Sequence, residues 1–393
     1  MKKTHVLTML LSALSAGLLI SCAKPAEDNK AADNQPQTIS QESATAADNS
    51  SSAASATNSA EQNMAIIPVT ISPDTAQTYL IHVADDIVIP AYSDAARQSA
   101  LLHDLAVQHC QQVPVSGAQL QALRAQWLLL AQAWARAEMV NFGPATESMS
   151  NLYINYYPDE RGLVHKGVAN LIATNPSVTP EQLADENAIV QGIPGLEEAL
   201  YANDSLDAGQ CAYVMSASAA LNTRLKEIER HWQNNASELL AIDQTKESDQ
   251  GLNQWFNSLL SLIETLKSSA IEQPLGLRGK AKGHLPAATA AQSRAIITAK
   301  LATLNDTLTD PVLTAILNNN DPSNAANTVG NNLSTALADT TTLLAQMPED
   351  LAEADKDSQQ ALLNQLNEVT RLIKRQLIPT LGIRVGFNST DGD

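Results

Sequence analysis

The segment LQALRAQWLLLAQAWARA, at residues 120–137, decides the predicted fold. Its large apolar residues recur at spacings of three and four, which places them on one face of an amphipathic helix. These residues are Leu120, Leu123, Trp127, Leu130, Trp134 and Ala137. The segment NFGP follows at residues 141–144, and glycine and proline commonly stand just after a helix ends. The pattern therefore predicts a helix with one buried apolar face.

The same spacing recurs towards the C-terminus. One run comprises Leu252, Trp255, Leu259, Ile263 and Leu266, and a second comprises Leu362, Leu366, Val369, Ile373 and Leu377. Residues 66–71 and 79–90 are rich in β-branched side chains, which favour short strands or extended arms. Because no long stretch alternates at period two, the predicted fold is all-α. It comprises two helical-bundle-like halves packed together, about residues 71–208 and 209–393, after a disordered tether.

The N-terminal segment MKKTHVLTMLLSALSAGLLISC has the features of a bacterial signal peptide, assigned to residues 1–21. Lys2 and Lys3 precede an uncharged apolar stretch that is too short to span a membrane comfortably. The stretch LISC at residues 19–22 resembles the lipobox of bacterial lipoproteins, in which the cysteine, here Cys22, is diacylated. An ordinary secretory signal with an incidental cysteine is the alternative.

The residue after the predicted lipidation site indicates in which membrane the protein is expected to be anchored. In the lipoprotein pattern an aspartate there retains the protein in the inner membrane, so Ala23 implies the outer membrane. Residues 22–70, which begin with the lipidated Cys22, are predicted to form a disordered linker. Alanine, serine, asparagine and threonine predominate in it, and these residues cannot bury enough apolar surface to offset the entropy of ordering.

Charge and motifs exclude several classes of function. The formal net charge is −18 at pH 7, and phosphate binding needs a basic face, so nucleic acid is not an expected partner. The sequence contains no HExxH, no GxSxG, no P-loop and no GxGxxG in a strand–helix setting. The seven histidines are scattered, and we interpret them as surface or core residues.

Two cysteines remain if Cys22 carries lipid. In an oxidising compartment an even pair suggests one disulfide, here between Cys110 and Cys211. Two buried free thiols are the alternative. With only two thiols left, a metal site made from cysteines alone is not expected.

The segment QGIPGLEEALY, at residues 191–201, carries the candidate site. Pro194 stands where a helix would begin, and Glu197 and Glu198 would lie in its first turn, near the positive end of the helix dipole. A capped helix start accounts for this pattern without any ligand.

Five segments together resemble the imelysin family of bacterial periplasmic proteins. They are FGP at 142–144, INYYPD at 154–159, GIPGLEEALY at 192–201, PLG at 274–276 and LGIRVGFNSTDGD at 381–393. The resemblance covers roughly residues 75–393. It implies an all-helical fold with two bundle-like halves around the signature segment, and a paired-cysteine pattern at Cys110 and Cys211.

The family signature is GxHxxE, which is proposed to bind a metal, and the family was named for a peptidase. By position, Gly192 and Glu197 match the glycine and the glutamate, whereas Pro194 replaces the histidine. Proline offers no donor nitrogen, and a single glutamate cannot form the three-ligand site of a catalytic zinc. We therefore assign no catalytic residue and treat Gly192, Pro194 and Glu197 as the candidate ligand site, with the identity of any metal left open.

The wider family is associated with iron-regulated uptake. The resemblance thus implies a non-catalytic binding or accessory lipoprotein linked to iron or haem uptake, anchored to the outer membrane and facing the periplasm. Its expected partners are the membrane, through the lipid, and iron, haem or an envelope protein. A metallopeptidase with an atypical site and a structural envelope protein are the alternatives.

Overall fold

The computed structural model describes residues 68–242, 248–318 and 325–385. The signal peptide, Cys22 and the C-terminal motif from residue 386 onwards lie outside the described residues, so the expectations for them stay predictions. The described residues belong to one compact unit. Among the helices of the described ranges, none combines the length and the apolar character needed to cross a membrane.

Helices form most of the described chain, which confirms the predicted all-α class. In chain order they are α1 (Pro73–His82), α2 (Ile89–His109), α3 (Gly117–Ala137), α4 (Ser150–Ile154), α5 (Leu163–Thr174), α6 (Pro180–Ala184), α7 (Gly192–Tyr201), α8 (Ala208–Leu239), α9 (Ser248–Lys267), α10 (Gln273–Leu275), α11 (Ser293–Leu308), α12 (Pro311–Asn318), α13 (Ala325–Ala345), α14 (Lys356–Leu372) and α15 (Ile378–Thr380). The π-helical segments are Val83–Val88, Ser268–Glu272 and Ile373–Leu377, and the 3-10 segments are Gly143–Ala145, Glu147–Met149, Ala188–Val190 and Leu351–Glu353. Two short strands, β1 (Val115–Ser116) and β2 (Ser205–Leu206), pair antiparallel.

The predicted helix at residues 120–137 is α3, and its apolar face lies in the core. All six residues of that face are at most 2% exposed. The two C-terminal runs are likewise buried, in α9 and in α14, and the second continues through a π-helical segment to Leu377. The apolar spacing therefore located three of the core helices.

The expectation of strands or extended arms at residues 79–90 is wrong. This stretch is helical and runs from the end of α1 through a π-helical segment into α2. Tyr79, Leu80, Val83 and Val88 are all buried, because the helix turns them into the core. Burial of one helix face outweighs the strand preference of β-branched residues, which is a weak local bias.

The long helices pack across the predicted boundary at residue 208. Helix α2 packs against α3 and α8, and α7 packs against the same two helices. Helix α11 contacts α3 and α13, α13 contacts α14, and α14 contacts α9. Helix α8, the first of the predicted second half, thus lies beside helices of the first half. The division into halves at 71–208 and 209–393 stays a prediction.

A disulfide joins the end of α2 to the first turn of α8. It links Cys110 and Cys211, whose Cα atoms are 5.6 Å apart and which lie 101 residues apart in sequence. The structure therefore contains the predicted disulfide. Because α2 and α8 also pack against each other, the bond reinforces an existing interface between two helices.

His82 connects α1 to the start of α12 through two carboxylates. Its Nδ1 lies 2.8 Å from Asp86 Oδ2, and its Nε2 lies 2.7 Å from Asp310 Oδ2. Asp310 also accepts the backbone N–H groups of Val312 and Leu313. Burial lowers the pKa of His82, but the hydrogen bonds to Asp310 and Asp86 outweigh it, so the pKa lies above its usual value. Only the protonated ring can donate to both carboxylates.

We expect His82→Gln to lower the free energy of unfolding more at about pH 5.5 than at about pH 8.5. The contribution of the protonated ring is complete below its ordinary pKa of about 6.5 and is lost as the pH rises through the higher folded-state pKa. The pH-dependent part should be about 1 kcal/mol, since Asp86 is exposed. Urea denaturation of wild type and variant at both pH values measures it. Equal destabilisation at the two pH values would contradict a titrating His82.

Candidate functional site

The signature segment, GIPGLEEALY at residues 192–201, begins α7 at a position that only glycine can occupy. Gly192 has a φ of +68°, which residues other than glycine rarely adopt. A Cβ there would also lie 2.2 Å from the carbonyl oxygen of Ile154 and 2.5 Å from that of Tyr153. Pro194 follows in the first turn, where a missing N–H costs no hydrogen bond. The helix begins at Gly192, two residues before the predicted start, and Gly192 has a structural role in it. The expectation that Glu197 and Glu198 lie in the first turn is wrong, because that turn contains no acidic residue.

Two further contacts fix the backbone of this segment. A Cβ on Gly195 would lie 2.3 Å from the hydroxyl of Tyr213, which donates to the carbonyl of Val190 at 2.9 Å. The indole N–H of Trp127, on α3, donates to the carbonyl of Ile193 at 2.9 Å. The first turn of α7 is thus held between α3 and α8.

A small cavity, here called the inner cavity, lies against the first turn of α7. Pro194 and Glu197 line it, together with side chains from α3, α11 and the loop before α11. Its volume is about 40 Å³. Since a water molecule needs roughly 10–15 Å³ by this measure, the inner cavity has room for only a few water-sized groups. Two of the three predicted site residues therefore share one cavity, whereas Gly192 shapes the backbone behind it.

Glu197 is buried and is held by the loop before α11. Its Oε1 accepts the backbone N–H of Ala290 at 3.0 Å, and the N–H of Thr289 also favours its charged form. Burial raises the pKa of Glu197 to about 7, despite these two hydrogen bonds. Ala287 and Ala291, which flank the two donors, have φ values of 53° and 54°. Such left-handed alanines are strained, and strain of this kind concentrates at functional sites.

We expect Glu197→Gln to remove a pH-dependent part of the stability. The folded state favours the protonated carboxyl, so the contribution is complete below about pH 4.5 and is lost as the pH rises through about 7. The difference in free energy of unfolding between wild type and variant should therefore change by about 2–3 kcal/mol between about pH 5 and about pH 8. Urea denaturation at both pH values measures it. If the difference does not depend on pH, Glu197 is not the titrating group.

A buried ion pair lies beside Glu197 in the same cavity. Lys300, on α11, is 4% exposed and pairs with Glu138, the residue that follows α3. The side-chain amide of Asn155 donates to the other oxygen of Glu138 at 3.1 Å. Burial lowers the pKa of Lys300 to about 8, so the amine still carries its proton at neutral pH, where the adjacent carboxylate favours the charged form.

Tyr157 and His284 complete the polar wall. The hydroxyl of Tyr157 lies 3.0 Å from the carbonyl oxygens of both Ser269 and His284, and burial raises the pKa of this phenol. The Nδ1 of His284 donates to the carbonyl of Leu285 at 2.9 Å. Its Nε2 is therefore the acceptor nitrogen of the neutral ring. The edge of one ring meets the face of the other at a centroid distance of 5.8 Å.

A larger cavity, here called the outer cavity, adjoins the inner one. It has a volume of about 180 Å³ and shares Trp134, Glu138, Asn155, Tyr157 and Lys300 with the inner cavity. Its remaining wall comes from α9, from α4 and from the loop after α3. That wall mixes hydroxyl groups, such as those of Ser261 and Thr265, with apolar side chains. The two cavities therefore share a wall that contains the Lys300–Glu138 ion pair.

Sequence reasoning found part of this site and missed the rest. The resemblance singled out Pro194 and Glu197, and its INYYPD segment contains Asn155 and Tyr157, although no role was assigned to these two. Lys300, Glu138 and His284 were missed. No local signal marks Lys300, since a lysine within a helix is usually exposed.

The metal that the signature implies does not fit the residues present. Pro194 occupies the histidine position and has no donor atom in its side chain. Throughout the described ranges, no group of three or more His, Cys, Asp or Glu residues is arranged to hold a metal ion. Glu197 is instead bound to backbone N–H groups of the loop before α11.

Comparison with known proteins places these features in a family. A family model described as Imelysin matches residues 88–376. The crystal structure of an imelysin-like protein from Psychrobacter arcticum 273-4 is 77% identical in sequence and superposes with a TM-score of 0.80. That similarity covers 82% of this chain and 100% of the other. No curated protein sequence matches this chain.

Proposed function

Because the chain belongs to the imelysin family, we propose that it is a non-catalytic binding or accessory lipoprotein that serves iron or haem uptake. In this proposal Cys22 carries the lipid, and the helical domain faces the periplasm from the outer membrane. The lipobox-like LISC segment and Ala23 support the anchor, and the family resemblance supports the link to iron.

The observation that supports binding over hydrolysis is the chemistry of the inner cavity. Pro194 and Glu197 line a small cavity that also holds the Lys300–Glu138 pair. A zinc peptidase needs about three protein ligands and an open position for water, and this donor set does not provide them. A cavity with a few convergent polar groups instead resembles a binding site for a small molecule.

Iron accumulation in cells tests the uptake role. A strain without the protein, grown under iron limitation, is supplied with labelled iron as a ferric salt or as haem. We expect the wild-type chain to restore accumulation and Glu197→Ala to restore less than about half as much at equal protein level. Glu227→Ala, which changes an exposed glutamate on α8, is the matched control and should restore fully.

Two results would overturn the proposal. Unchanged iron accumulation in the strain without the protein would remove the uptake role. A native preparation with stoichiometric zinc and chelator-sensitive cleavage of peptides would replace it with a metallopeptidase.

Lipid attachment is tested separately at Cys22. We expect Cys22→Ser to abolish the incorporation of labelled palmitate and to release the protein from the outer-membrane fraction, because several acyl chains provide the anchor. An unchanged membrane fraction for Cys22→Ser would contradict the anchor and would leave the binding role untouched.

A further inference from the structure

Trp134 lines both cavities and has a buried hydrogen-bond donor without a partner. Its side chain is 2% exposed and lines both the inner and the outer cavity. Within the described residues, three buried side-chain atoms have no hydrogen-bond partner, namely Trp134 Nε1, Trp232 Nε1 and Gln359 Oε1, and of these residues only Trp134 lines the two cavities. Nearly all buried polar groups in proteins are hydrogen-bonded, and an exception calls for an acceptor such as a bound molecule. An acceptor atom of a bound molecule would satisfy the indole N–H of Trp134.

The charged groups around Trp134 include one cationic amine and two carboxyl groups. Lys300 has three donor hydrogens, of which Glu138 takes one. Glu138 keeps acceptor capacity beyond its contacts with Lys300 and Asn155. Glu197 adds a second carboxyl group in the inner cavity. A ligand with only a negative charge would be repelled by these two carboxyl groups. A ligand with only a positive charge would be repelled by Lys300. A molecule that carries both charges complements the site.

We infer that the two cavities bind a small zwitterion of the amino-acid type. Its carboxylate lies at the amine of Lys300 and accepts the indole N–H of Trp134. Its ammonium group lies in the inner cavity, which Glu138 and Glu197 share, and its side chain enters the outer cavity. This inference rests on the proposed binding role and names the class of ligand for that site.

The size of the site supports a small ligand. The inner cavity has room for a few water-sized groups, which suits an ammonium group. The outer cavity, at about 180 Å³, has hydroxyl groups and apolar carbons that suit a short side chain. Ser258 already donates to Asn141 at 2.5 Å, so Ser261 and Thr265 are the hydroxyl groups left to contact such a side chain.

The indole N–H signals of the four tryptophans provide a direct test in the wild-type protein. The full chain is labelled with 15N in the tryptophan indole and titrated near neutral pH with L-alanine, with acetate and with ethylamine. We expect the Trp134 signal to shift and to saturate with L-alanine, because its N–H gains an acceptor. Binding of L-alanine should be at least about tenfold tighter than that of acetate or ethylamine, since each of these lacks one charge-assisted contact.

Variants separate the role of the N–H from packing. Trp134→Phe keeps an aromatic ring but removes the donor, so it should weaken L-alanine and acetate about tenfold and leave ethylamine unchanged. Trp232→Phe is the matched control, because Trp232 is also fully buried but is not among the residues that line these cavities. It should leave L-alanine binding unchanged. If Trp134→Phe does not fold, the wild-type Trp134 signal is assigned from the phenylalanine variants of the other three tryptophans.

Three outcomes would overturn the inference. They are a Trp134 signal that does not shift with L-alanine at millimolar concentration, acetate or ethylamine that binds as tightly as L-alanine, and equal weakening of all three probes by Trp134→Phe. Failure of the uptake role is distinguishable from these. L-alanine binding without an iron phenotype overturns uptake alone, and an iron phenotype without a Trp134 shift overturns the ligand class alone.

Discussion

Alanine at both Cys110 and Cys211 is expected to lower the free energy of unfolding by about 4 kcal/mol. The disulfide closes a loop whose ends lie 101 residues apart in sequence. In the chain-entropy model, a cross-link over about 100 residues lowers the entropy of the unfolded chain and so raises its free energy by roughly 4.7 kcal/mol. Urea denaturation of the oxidised wild type and of the double variant measures the difference.

Reduction provides the control for this prediction. Wild type treated with a reducing agent should lose about as much stability as the double variant, and the variant should not respond to the reducing agent. The slope of the urea dependence should rise in the variant, because its unfolded chain exposes more surface. Two thiols that can be alkylated in the native oxidised protein would contradict the bond, and equal stabilities would contradict its contribution.

The helices were predictable where one side of a helix is continuously apolar. Residues 120–137 meet this condition, and α3 buries the predicted face. Residues 79–90 do not, because most of their apolar side chains are β-branched and Asp85 and Asp86 interrupt them. Helix α1, which contains the first part of this stretch, packs against α9 and α12, which lie far along the chain. Local preference could not reveal those contacts.

The candidate site was predictable where it coincides with one continuous motif. Pro194 and Glu197 lie five positions or fewer from Gly192 and were found together. Lys300 lies on α11 and Glu138 directly follows α3, and they are 162 positions apart in the sequence. Only the packing of α11 against α3 brings them together. Two cysteines in a sequence suggest a disulfide, whereas a lysine–glutamate pair has no distinctive pattern in a single sequence.

Lys300→Met is expected to lower the free energy of unfolding by about 3–5 kcal/mol. The amine of Lys300 is buried and pairs with Glu138, whose side chain is 18% exposed. Loss of the lysine leaves a largely buried carboxylate without its cation, and removal of one partner from a buried pair is strongly destabilising. Urea denaturation near neutral pH measures the loss.

A second substitution tests whether the uncompensated charge causes this loss. Lys300→Met combined with Glu138→Gln removes both charges and keeps an acceptor for the amide of Asn155. The double variant should recover most of the stability, to within about 1–2 kcal/mol of wild type, since neutral replacement of a buried pair is often nearly neutral. Lys282→Met breaks an exposed pair with Glu160 and should cost less than about 1 kcal/mol. If the double variant is as unstable as Lys300→Met alone, the loss comes from packing of the lysine stem and the carboxylate of Glu138 does not depend on its partner.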